Sequence, residues 1–103
     1  MAKNWTMGTL GRARGFLAAL ALGDAAVRIG DLKAAEDGFL RVLALSPGDP
    51  AASNNLAMVY LQQGRRLDEA ERLARGALAR DPALQPYVLD TLARIQDRRK
   101  LEE

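Results

Sequence analysis

The 103-residue chain contains no cysteine and no histidine. Without cysteine there are no disulfide staples, thiolate metal sites or cysteine nucleophiles. Without histidine the chain lacks the commonest general base and the commonest metal ligand. Aromatic residues make up only 5% of it, and no apolar run approaches the ~18–20 residues that cross a bilayer. These absences remove the usual parts of an enzyme, a metal centre and a membrane span. The length admits one domain, at about 100–150 residues each. What is left is a binding module, with no metal or cofactor expected.

Alanine occurs 19 times, leucine 17 and arginine 12, whereas Val, Ile, Thr, Phe, Tyr and Trp together number 14. The first group forms helices well and the second forms strands. The composition predicts an all-α fold with a core of Leu and Ala. The net charge of +2 is unevenly placed. Lys3, Arg12 and Arg14 lie in the first fifteen residues, which hold no acid, and residues 16–103 carry 12 basic and 13 acidic side chains. A nucleic-acid binder gathers its basic excess on one face; this balance gives no such sign, so no nucleic-acid partner is expected. The excess of arginine over lysine, 12 to 3, points to a GC-rich bacterial source.

Gly8, Gly11 and Gly15 break any regular helix over residues 1–15, which are expected to form a flexible basic tail carrying Trp5. Arg12 and Arg14 followed by the apolar stretch Phe16–Leu22 and by Ala25 and Ala26 have the outline of a signal peptide. Asp24 inside that stretch favours instead the buried face of a first helix. The expectation is therefore a cytoplasmic protein, with a periplasmic location as the alternative if residues 1–26 act as a signal.

The rest of the chain repeats. Gly30-Asp31-Leu32-Lys33-Ala34-Ala35-Glu36, running on to Pro47, is echoed by Gly64-Arg65-Arg66-Leu67-Asp68-Glu69-Ala70, running on to Pro82. The offset is 34 residues at the glycines and 35 at Ala35/Ala70 and Pro47/Pro82, so one residue is inserted near Arg66. Apolar residues at helical spacing precede and follow each turn glycine. Five helices are predicted, at about 16–29, 33–45, 51–63, 67–79 and 86–98. The end, Lys100-Leu101-Glu102-Glu103, echoes Arg66-Leu67-Asp68-Glu69.

This pattern resembles the tetratricopeptide repeat family, a helix–turn–helix unit of about 34 residues. Leu22-Gly23, Gly30, Ala35, Phe39 and Pro47 match the first unit; Leu56-Ala57, Tyr60, Gly64, Ala70, Ala74, Ala77 and Pro82 match the second; Leu92-Ala93 survives in a third. The resemblance implies a right-handed helical-repeat solenoid over 16–103, with units 16–49 and 50–83 and a partial unit 84–103. Its last helix would serve as a cap, with Arg94, Asp97, Arg98 and Arg99 toward water.

The resemblance also implies a concave groove lined by the first helix of each unit. Carried over by position, its residues are Leu17, Leu20, Asp24, Val27 and Arg28; Ala51, Asn54, Met58, Leu61 and Gln62; and Tyr87, Asp90, Arg94 and Asp97. The clamp by which some family members hold a terminal carboxylate falls on Leu20, Asp24, Asn55, Tyr87 and Thr91, where only Asn55 fits. The expected function is non-catalytic binding of a partner peptide or helix in that groove. Self-association, as a homodimer or as part of a longer array, is the alternative. For Asn54 and Asn55 the competing role is capping the helix that starts near Pro50. For Asp90 and Arg94 it is an exposed helix pair.

Overall fold

The computed structural model describes residues 25–102. Residues 25–28 are helical and are followed by α1 (Leu32–Leu45), α2 (Pro50–Gln63), α3 (Leu67–Arg80), a 3-10 turn (Pro82–Leu84) and α4 (Gln85–Glu102). The expected tail over 1–15, the signal-like stretch, most of the first expected helix, and the groove candidates Leu17, Leu20 and Asp24 lie outside the described residues.

Two Gly-Asp pairs start two of the helices. Gly30 (φ 80°) and Gly48 (φ 77°) take the left-handed turn. The following carboxylates then accept from free helix N–H groups, Asp31 from Ala34 at 3.0 Å and Asp49 from Ala52 at 2.9 Å. Pro50 occupies the first turn of α2, where its missing N–H costs nothing. Asp49, and neither Asn54 nor Asn55, is therefore the cap of α2. That helix ends at Gly64 (φ 68°), after which Arg65 N–H donates to the Tyr60 carbonyl at 3.1 Å.

The inserted residue is absorbed at Arg66, the one non-glycine with positive φ (55°) among the described residues. Its guanidinium lies 5.6 Å from the Tyr60 ring centroid, and that of Arg65 lies at 5.7 Å. Arg65 also donates to Glu36 of α1 at 3.0 Å, and Gln63 donates to the same Glu36 oxygen at 3.3 Å. Glu36 is buried, and these two donors compensate its charge.

The core is the Ala-and-Leu interior that the composition implies. Ala35, Ala57, Ala70, Ala74 and Ala77 are fully buried and let helices approach closely, while Phe39, Leu56, Val59 and Tyr60 fill the space between them. Val88 and Ile95 carry α4 onto the same core. Each helix packs on its neighbour, and α2 also touches α4, so the pairs stack as a helical-repeat solenoid.

Two expectations about α4 are corrected. It runs to Glu102 rather than stopping near residue 98, so the Lys100–Glu102 echo is continuous helix and not a turn. The first copy of that sequence follows Gly64, whereas the chain has no glycine after Gly76 to end the helix. Arg99 does not stand free in water, its side chain being 29% exposed. It reaches across to α3, bonded to Glu71 and, at 2.6 Å, to Asp68. Arg75 also donates to Glu71, at 2.9 Å. Hydrogen bonds from Arg99 and then Arg75 hold the Glu71 carboxyl below the usual glutamate value. In turn Glu71 raises the pKa of Arg99. No helix among the described residues is long and apolar enough to cross a membrane.

Candidate groove along the second helix

α2 carries two shallow hollows on one face. Asn55 and Met58 line both, so Met58 forms the saddle between them. The first hollow, about 260 Å³, is completed by Val27 and Arg28, by Phe39 of α1, and by Val59 and Gln62. The second, about 400 Å³, is completed by Asn54 and by Pro86, Tyr87, Asp90 and Thr91 of α4. Volumes at the lower end of ligand pockets suit individual side chains better than a cofactor.

Local structure fixes this arrangement. Met58 is half-buried, and the Thr91 hydroxyl lies 3.2 Å from its sulfur and 3.0 Å from the Tyr87 carbonyl, to which it donates. The contact with the Met58 sulfur ties the saddle to α4. Asp90 and Arg94 form a 3.1 Å pair one helical turn apart, both more than half exposed. Tyr87 is 65% exposed at the rim.

Most groove candidates that fall in the described residues come together. Val27, Arg28, Met58 and Gln62 meet in the first hollow, and Asn54, Met58, Tyr87 and Asp90 in the second. Arg94 stands beside the second through its pair with Asp90. Leu61 is corrected: it is buried in the hydrophobic core and lines neither hollow. Ala51 and Asp97 also line neither. Asn54 is 8% exposed, so it belongs to the wall rather than the surface. Its Oδ1 is the one buried side-chain polar atom without a hydrogen-bond partner among the described residues. Phe39, Asn55, Val59, Pro86 and Thr91 were absent from the groove set, Asn55 and Thr91 having been named only as clamp positions. Thr91 was legible as the residue four after Tyr87 on the same helix face.

A family model described as tetratricopeptide repeat matches residues 26–95. Among curated proteins, the chain is 45% identical over 56 residues to the PsbB mRNA maturation factor Mbb1, chloroplastic, of Chlamydomonas reinhardtii. The match covers 54% of this chain and 8% of that protein, so the chain spans under a tenth of the relative's length.

Proposed function

The chain belongs to the tetratricopeptide repeat family, and from that premise we propose that it is a non-catalytic module binding a segment of a partner protein along α2. The observation that carries this reading is the pair of side-chain-sized hollows flanking Met58 on one face. Met58 is an adaptable apolar contact, and the Asn55 amide can both donate to and accept from a peptide backbone. The relative's name ties that protein to mRNA maturation. For this chain we favour a protein segment over RNA, because residues 16–103 balance 12 basic against 13 acidic side chains.

The test is display of random twelve-residue peptides against the protein. Binders selected on the wild type should be lost on Met58→Glu and weakened by Gln62→Ala, with helical circular dichroism unchanged in both. Binders indifferent to Met58→Glu, or no binders, would remove the groove reading.

Exposure along α4 supports a second reading, self-association. Aligning Leu92-Ala93 with Leu56-Ala57 sets Leu89, Ala93 and Gln96 against Ser53, Ala57 and Tyr60. The three residues of α2 are buried, and the three of α4 are exposed. Molar mass by light scattering over a wide concentration range separates the two: a mass fixed near 11.2 kDa rules out self-association, and a rise toward twice that value supports it.

A further inference from the structure

We infer that the hollow between α2 and α4 receives a basic side chain, lysine or arginine, of the bound segment. The inference rests on the groove reading and gives it a chemical preference.

Three observations converge on it. Asp90 carries the one formal charge among the residues lining this hollow, and that charge is negative. In the wall, Asn54 is more than nine-tenths buried and its amide oxygen accepts no hydrogen bond. At the rim, the Tyr87 ring is 65% exposed, which offers an aromatic face to a cation. A carboxylate, an orphan amide oxygen and a ring face are all acceptors, and they match a group rich in N–H donors and positive charge. An acidic side chain would meet Asp90 and the amide oxygen with the wrong sign. An apolar one would leave the Asn54 oxygen unpaired, as it already is in the free protein, and so gain nothing from it.

Arg94 now pairs with Asp90, but the two side chains are 59% and 56% exposed. An exposed i,i+4 pair of this kind is weak, so an incoming cation can share or take the carboxylate. The neighbouring hollow carries Arg28 as its one lining charge, which confines the preference for a base to the α4 side of Met58.

The experiment uses the peptide binders that depend on Met58. They should be enriched in lysine or arginine at one position, and replacing that residue by norleucine or citrulline should abolish the preference. On Asp90→Asn their affinity should fall about threefold to tenfold. On Asp97→Asn, which removes a carboxylate of the same helix outside the hollow, it should hold. Met58-dependent binders without basic enrichment, or equal losses in the two variants, would overturn this inference and leave the groove reading standing. Binders that ignore Met58 would overturn both.

Discussion

Asn54→Leu should make this protein more stable. The asparagine sits inside α2, 8% exposed, with its Oδ1 unpaired. A buried acceptor left without a donor costs about 1–3 kcal/mol, and asparagine is the poorer helix former by roughly 0.5 kcal/mol. Leucine removes both costs, while its slightly different shape gives back up to about 1 kcal/mol in packing. The net gain is about 1–2 kcal/mol, which raises the midpoint of a domain this size by roughly 5–10 °C. Thermal unfolding followed by far-ultraviolet circular dichroism reads it directly. Asn54→Asp is the control in the other direction, since it places an unpaired carboxylate in the same wall. The same Asn54→Leu protein should bind Met58-dependent peptides less well, because stability has been exchanged for a lost acceptor. A leucine variant that melts at or below the wild type would refute the reasoning, for the amide oxygen would then already be satisfied.

Two further outcomes follow from the backbone and from charge. Gly64→Ala should lose about 1–2 kcal/mol through its left-handed φ. Adding Arg98→Ala, which clears the guanidinium crowding that Cβ, should restore little; full restoration in chemical denaturation would show that crowding, not the backbone, set the cost. Gly76→Ala, in the exposed interior of α3 with nothing near the added Cβ, should instead gain about 0.5–1 kcal/mol. The Glu71 carboxyl titrates below its usual value near 4.5, so its contribution is present above that pH and is lost as pH falls through the lowered folded value. The stability gap between wild type and Glu71→Gln, measured by urea unfolding, should therefore shrink as the solution is acidified below that range. A gap independent of pH would show that the Arg99 and Arg75 bonds do not stabilise the carboxylate.

Features encoded by neighbours in sequence were legible from it. Turn glycines, the Ala–Leu stripes and the Asp90–Arg94 pair each depend on residues a few positions apart, and each stands where periodicity places it. Leu61 was not legible. It lies three residues after Met58 and four after Ala57, on the border between groove and core, and periodicity assigns a border position to neither side. Tertiary packing buries it. Arg99 finds its carboxylates 28 and 31 residues away, a distance over which sequence spacing says nothing about contact. The orphan state of Asn54 is likewise a property of what surrounds it, although two adjacent amides inside a helix were already out of place by propensity.

Glu36 and Glu71 each follow the small alanine that begins a buried stripe, and they stand 35 residues apart, the same offset as Ala35 and Ala70. Each reaches forward to an arginine, Arg65 just beyond α2 and Arg99 near the end of α4. Where apolar stacking alone would tolerate many neighbours, this polar latch makes each helix pair test the identity of the next. A pair lacking the forward arginine leaves Glu36 with only Gln63 and Glu71 with only Arg75 as donor, so the two glutamates favour one succession of pairs over others.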